Sequence, residues 1–242
     1  MIQKNEMQKE FSRGTNIFIL GIVFIAALIM WNSIFFFPIK LFVVALHELS
    51  HGIAAVIMGG EIKQIQIDKQ IGGYCVTALP SSAGFFKQAI VVSAGYLGSI
   101  LWGAFIFLLA VKNRHDRIIT FFIGLLMAVI TFYVFRTREF FGIAYTIIFT
   151  LFLFAASRWL PERFLDIMLK SLGFISCMYA IFDIKDDLID RTHIGSDADR
   201  LAQMMGMPSI SIVIGIIWII FAVAVLGLTL RIAFKNSSGK TN

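Results

Sequence analysis

Seven apolar runs, each close to the length that crosses a lipid bilayer, constrain this sequence more than any other feature. A helix needs about 20 apolar residues to span the hydrocarbon core. The runs occupy residues 17–37, 39–58, 85–111, 118–135, 140–159, roughly 172–188, and 210–232. Proline, glycine pairs or groups of Lys and Arg separate them. The sequence therefore predicts an all-α polytopic membrane protein with about seven transmembrane helices.

The composition agrees with a membrane location. Apolar residues make up 58% of the 242 residues and charged residues 15%, whereas a soluble domain usually carries about 25% charged residues. The net charge is +6, but Lys and Arg occur in short groups between apolar runs, and residues 112–117 form the densest group. Such groups are typical of loops anchored at lipid headgroups, so the bilayer and not nucleic acid is the expected partner. We expect a multi-pass protein of a bacterial cell membrane.

The chain is expected to form a single membrane-embedded domain over residues 1–242. Residues 1–16 form a charged leader, and the apolar run after it is too long for a cleavable signal peptide. Residues 189–208 are predicted to be a loop with a short helix, and residues 233–242 a tail. In residues 61–79, Ile65 and Ile67 alternate with polar residues, and β-branched and aromatic residues follow a glycine pair. This pattern predicts a β-hairpin between the second and third spans, with a plain connecting loop as the alternative. An open strand edge cannot face lipid, so the hairpin must lie at the surface or in a protein-lined cavity.

The second apolar run contains His47-Glu48-Leu49-Ser50-His51. Residues at positions i and i+4 of a helix lie one above the other, so His47 and His51 present their imidazoles to the same point. Two neutral imidazoles at this spacing form half of a tetrahedral zinc site, and Glu48 lies where it can take a proton from the attacking water. Ionisable groups at mid-membrane are costly unless they are paired or liganded. A zinc site is therefore favoured over the alternative, a pair of core histidines hydrogen-bonded to neighbouring helices.

A catalytic zinc ion usually has three protein ligands, so one more ligand must come from elsewhere in the chain. Asp183, Asp186, Asp187 and Asp190 are spaced to share one face of a helix. Asp183 directly follows an apolar run and is the most deeply placed, so we predict it as the third ligand, with Asp187 as the alternative. For Asp186 and Asp190 a solvated face is preferred.

The depth of Asp183 depends on where the sixth span begins. At 1.5 Å per residue, the two histidines lie about 14–20 Å into the membrane. A span that starts near Leu172 places Asp183 at about 17 Å, whereas a start at residue 164 places it at roughly 28 Å. The sequence therefore predicts that residues 161–170 form a separate interfacial helix.

Three further patterns predict local structure. Asp166 and Lys170 are spaced for a surface salt bridge within one helix. Ser196 precedes acidic residues in the first turn of a predicted helix, which is typical of an N-cap. Small residues repeat every four positions in the third span, a pattern that lets membrane helices approach closely. These small residues are Gly95, Ser99 and Gly103.

Together these patterns resemble the site-2 protease class of intramembrane metalloproteases. The resemblance rests on the histidine motif in a membrane span, Gly59-Gly60 after it, the small-residue segment 93–99 and a late membrane aspartate. It is closest to the M50B-like branch, in which an Asp-rich stretch, here residues 183–190, precedes Ser-Asp-Ala, here residues 196–198.

The resemblance implies a zinc metalloendopeptidase that cuts membrane-protein substrates. In that family two motif histidines and a later aspartate hold Zn²⁺ and the motif glutamate is the general base, which corresponds to His47, His51, Asp183 and Glu48. The chain departs from well-studied members, because Asp183 lacks the Leu-Asp-Gly context and Tyr96 replaces a proline.

Two other functions are compatible with the same residues. One is a divalent-metal transporter or sensor, and the other is an inactive relative that acts as a membrane chaperone. Glu48 distinguishes them from a protease, because only hydrolysis needs a general base. In a protease, the 61–79 hairpin is expected to hold the extended substrate by adding a strand at its edge.

Overall fold

The computed structural model describes residues 33–112, 115–189 and 195–235, together with residues 21, 22, 25 and 29. From residue 33 onward, the longer elements follow in the order α1 (Phe37–Ile57), β1 (Glu61–Ile67), β2 (Gly73–Ala78), α2 (Phe85–Lys112), α3 (Asp116–Val134), α4 (Phe140–Trp159), α5 (Glu162–Ile189), α6 (Asp197–Met204) and α7 (Ser211–Lys235).

Within the described residues, six helices are long and apolar enough to cross a membrane, namely α1–α5 and α7. This arrangement is consistent with a multi-pass membrane protein. The first predicted span, residues 17–37, lies largely outside the described residues. The expected total of seven spans is therefore not confirmed.

α1 lies in the interior of the helix bundle. Its side chains Leu41, Phe42 and Leu46 are completely buried, in a cluster to which α2, α3, α4 and α5 all contribute. α7 instead exposes large apolar side chains, among them Ile217 and Ile220. Exposed apolar surface of this kind is expected where lipid covers a helix. Most of the helix with the histidine motif is thus covered by protein, although Val56 and Ile57 near its C-terminal end are exposed.

α2 and α5 pack closely because Gly103 of α2 faces α5 and Gly173 of α5 faces α2. A β-carbon at Gly103 would lie 2.8 Å from the amide nitrogen of Cys177, and one at Gly173 would lie 2.5 Å from the amide nitrogen of Phe107. Both contacts are with backbone, which cannot move aside as a flexible side chain could. The predicted role of the small-residue repeat in helix packing is confirmed at Gly103.

α5 runs without a break from Glu162 to Ile189, so the predicted separate helix over residues 161–170 is wrong. After Pro161 no proline interrupts the stretch. The predicted Asp166–Lys170 salt bridge forms at 2.8 Å, but its side chains are only 9% and 16% exposed. Because the two charges pair within the helix, α5 can carry them inside the bundle instead of stopping at the interface.

The predicted hairpin is confirmed as an antiparallel pair of strands. Ile65 and Ile67 of β1 are completely buried in the main core cluster, and Gly73 of β2 lies opposite Ile67. Arg136 covers the outer side of β1, where its guanidinium donates a hydrogen bond of 3.1 Å to the carbonyl oxygen of Lys63. A β-carbon at Gly142 of α4 would lie 2.7 Å from the carbonyl oxygen of Ile67, so α4 also approaches β1 closely. Because protein covers part of β1, we infer that the more accessible edge of the hairpin belongs to β2.

Candidate metal centre and active site

The histidine motif lies on consecutive turns of α1. The ring centroids of His47 and His51 are 4.9 Å apart. Nδ1 of His51 lies 2.7 Å from the carbonyl oxygen of Val91 on α2. Because a carbonyl can only accept, this hydrogen bond requires the proton on Nδ1 and leaves the lone pair of Nε2 free to bind a metal. α2 therefore orients one of the two imidazoles.

A carboxylate from a distant part of the chain contacts both imidazoles. Oδ2 of Asp197 lies 3.1 Å from Nε2 of His47 and 3.0 Å from Nε2 of His51. The three side chains offer ligand atoms that all lie within 4.8 Å of one another. Two imidazole nitrogens and one carboxylate oxygen form a donor set that catalytic zinc sites use.

The first turn of α6 directs Asp197 into the bundle. Oγ of Ser196 accepts a hydrogen bond of 3.1 Å from the backbone N–H of Asp199, and the Asp199 carboxylate accepts one of 3.0 Å from the backbone N–H of Ser196. This reciprocal pair is a capping box, and it confirms the predicted N-cap. Asp197 is the first helical residue after the cap, and its side chain is buried.

The charge on Asp197 is stabilised by the same neighbours. Burial disfavours the ionised carboxylate, but its interactions with the imidazoles of His51 and His47 in their protonated forms outweigh the effect of burial. The pKa of Asp197 is therefore held below its usual range. Asp197 is ionised at neutral pH, as a metal ligand must be.

Gly95 on α2 leaves open the space in front of the imidazole nitrogens. A β-carbon at this position would overlap Nε2 of His47 and Nε2 of His51. The next residue, Tyr96, closes one side, with its ring edge-on to His47 at 4.8 Å between centroids. The donor set and the space kept by glycine both fit a bound metal ion.

His47, His51 and Asp197, the candidate metal-binding group, open into a cavity of about 270 Å³ that contains Glu48. Its walls come from α1, α2, α5, α6 and the hairpin. They include Val44, His47, Glu48 and His51; Gly73, Tyr74, Cys75 and Thr77; and Ser196, Asp197 and Arg200. A β-carbon at Gly73 would lie only 3.1 Å from Cγ of Glu48. The backbone of β2 therefore passes directly beside the predicted general base.

The predicted third ligand is Asp183, whereas the carboxylate that contacts the two histidines belongs to Asp197. Asp183 lines the same cavity, but it does not belong to the close group, in which Asp197 supplies the carboxylate. The side chain of Asp187, the alternative, lies outside the described residues. The sequence places Asp197 at the start of a helix, with capping as the default interpretation and a functional role as the alternative. The available indication was its place in Ser-Asp-Ala, one of the patterns on which the resemblance rests.

Comparison with known proteins identifies the family. A family model described as Peptidase M50B-like matches residues 20–229. The chain belongs to this family. The match includes the histidine motif, the hairpin and Asp197, and it confirms the resemblance to the site-2 protease class. No curated protein and no solved structure matched the chain.

Proposed function

We propose that this member of the M50B-like family is an intramembrane zinc metalloprotease that hydrolyses peptide bonds of membrane-embedded proteins. The observation that carries the proposal is the convergence of His47, His51 and Asp197 beside Glu48 in one cavity. The cavity lies among helices long and apolar enough to cross a membrane. A protein-lined cavity is where hydrolysis can take place at membrane depth, because lipid excludes water.

In this proposal His47, His51 and Asp197 hold the zinc ion. Bound zinc supplies Lewis-acid chemistry, which lowers the pKa of water and polarises the substrate carbonyl. The hydrogen bond from His51 to Val91 keeps one imidazole in the tautomer that can bind metal. The capping box holds the carboxylate of Asp197 against both imidazoles.

Glu48 is assigned as the general base. Its carboxylate is buried, lines the cavity and is not a member of the metal-binding group. It would take a proton from water as the water oxygen bonds to the carbonyl carbon of the substrate. The same proton would then pass to the amide nitrogen as the carbon–nitrogen bond breaks, so that the amine leaves neutral.

The substrate is assigned to the edge of β2. A peptide must be extended to be cut, and an extended segment can add as a strand to an open sheet edge. Because Ile65 and Ile67 are buried in the core, proline at either position would disturb the fold whatever the role of the hairpin. Single prolines at Cys75, Val76 and Thr77 are a sharper test, since successive backbone N–H groups alternate between β1 and the outer edge. Unchanged cleavage by all three variants would contradict this assignment.

The decisive experiment compares cellular membrane proteomes containing wild-type protein or Glu48→Gln. A protease predicts that uncut precursors accumulate with Glu48→Gln, while the purified variant keeps its zinc. The matched control is Glu139→Gln, which changes an exposed glutamate ahead of α4. If Glu48→Gln binds zinc and no precursor accumulates, the protein is not a protease, and a transporter, sensor or chaperone role gains support.

A further inference from the structure

We propose that Arg200 is a substrate-binding residue that donates hydrogen bonds to a main-chain carbonyl of the bound peptide. This proposal rests on the proposed protease function and on the placement of substrate at the edge of β2. It assigns a role to the wall of the cavity that α6 forms, on which Arg200 lies with Asp197.

The guanidinium of Arg200 has N–H donors available at the cavity. It follows Asp197 by three residues on α6, and its side chain is 61% exposed. Nη1 lies 3.8 Å from Oδ1 of Asp197, which is too long for a hydrogen bond. Within the described ranges, no hydrogen bond from the guanidinium is found. A guanidinium carries five N–H donors and no acceptor.

The guanidinium is close to the reacting groups. One oxygen of the Asp197 carboxylate faces the two imidazoles, and the other faces Arg200. Arg200 also lies within electrostatic range of Glu48. A peptide positioned for attack at the metal-binding group therefore passes within reach of this side chain.

Strand addition at β2 creates a need for donors on the opposite wall. The carbonyl groups of a strand point alternately to its two sides, so β2 can pair only half of those in an added peptide. The remaining carbonyls point away from the hairpin, and a carbonyl left unpaired in a buried site costs free energy. Arg200, which can only donate, matches those carbonyls.

The charges of the cavity favour a neutral carbonyl over an acidic substrate side chain. Glu48, Asp183 and Asp197 all line the same cavity as Arg200. A substrate carboxylate at Arg200 would lie near these three carboxylates, and their repulsion would oppose its attraction to the guanidinium and to a bound zinc ion. A backbone carbonyl carries no net charge, so it avoids this repulsion and is present in every peptide.

The test uses purified zinc-loaded protein in detergent and quenched-fluorescent peptides. The peptides span the transmembrane segments of precursors that accumulate with Glu48→Gln. We expect Arg200→Gln to raise KM about tenfold or more, the loss typical of a hydrogen bond to a charged group, with zinc content unchanged. Arg200→Lys should recover part of the loss. The control is Arg231→Gln, an exposed arginine on α7, and it should leave KM unchanged.

Substitution in the peptide backbone identifies the bound carbonyl. Each carbonyl in turn is replaced by a thioamide, which is a weaker acceptor. A thioamide at one position should raise the KM of the wild-type protein. The same thioamide should not change the KM of Arg200→Gln further. Three results would overturn the role of Arg200 while leaving the protease intact: an unchanged KM, a loss of activity that follows a loss of zinc, or an effect confined to peptides with Asp or Glu. Absence of any accumulating precursor would overturn both proposals.

Discussion

Oδ2 of Asp197 lies 3.1 Å from Nε2 of His47, although 150 residues separate them in the chain. His47 belongs to a buried helix of the bundle, and Asp197 begins a short helix that is not one of the six candidate spans. The short helix is held in place through Ala198 and Ala202, which pack in a cluster with Tyr96 and Trp218. The geometry of the candidate metal centre therefore depends on how firmly α6 docks on α2 and α7.

Substitution of the two aspartates should separate their roles. We expect Asp197→Asn to weaken zinc binding by more than about 100-fold, because it removes a charged ligand and not merely a supporting group. Asp183→Asn should retain the metal, since Asp183 is not in the close group. Competition with a chromogenic chelator measures both affinities. Zinc loss in Asp183→Asn with retention in Asp197→Asn would restore Asp183 as the ligand.

Gly95→Ala should abolish zinc binding while the bundle remains folded. The added methyl group would occupy the space in front of both Nε2 atoms, so the imidazoles could not keep their positions. Gly227→Ala on α7 is the matched control, because a β-carbon there meets nothing within 4 Å. Metal content and thermal unfolding in detergent are the measurements. A Gly95→Ala protein with full zinc content would show that the space is not needed.

Loss of the capping box should lower the affinity for zinc, although Ser196 is not itself a proposed ligand. Ser196→Ala removes an N-cap, which typically costs about 1 kcal/mol of helix stability. If zinc binding requires the ordered first turn of α6, this cost appears as a loss of about fivefold in zinc affinity. Ser196→Thr keeps a hydroxyl at the cap and should lose little. Equal affinities for the Ala and Thr variants would mean that other contacts of α6 hold Asp197 in place.

Cys75 should be unreactive at neutral pH. Burial, with a contribution from the charge of Glu48, raises the pKa of its thiol to about 12, and the thiolate is the reactive form. In a Cys177→Ala background, maleimide labelling of the folded protein should rise about tenfold per pH unit to well above pH 9. Glu48→Gln should speed labelling, because it removes the negative charge nearby. A rate that levels off near the pKa of an ordinary thiol, as expected after denaturation, would contradict the prediction.

The features predicted correctly from sequence are those that local patterns determine. The placement of His47 and His51 on one helical face follows from their spacing, and the hairpin follows from its alternation and its glycine pair. Ser196 was recognised as a cap for the same reason. Sequence alone does not identify Asp197 as a candidate metal ligand, because nothing local distinguishes an acidic residue that stabilises a helix start from one that also reaches a distant histidine.

The error in the sixth span has a related cause. Asp166 and Lys170 indicate a polar helical face, and a polar face is usually solvated. Their burial as a pair becomes visible only when the neighbouring helices are in place. Gly173 could mark a break or a close contact, and only the position of Phe107 on α2 shows that it is a close contact. The predicted depth of Asp183 requires a break before Leu172, and α5 has none there.

The long separation between His47 and Asp197 also sets an order of events while the protein is being made. Ribosomes add about 5–20 residues per second, so synthesis of the 150 residues between them takes roughly 8–30 s. During that interval the carboxylate of Asp197 has not yet been made, so His47 and His51 lack the third member of their group. Under the proposed protease function, a chain synthesised only as far as residue 196 therefore cannot yet cut a neighbouring protein.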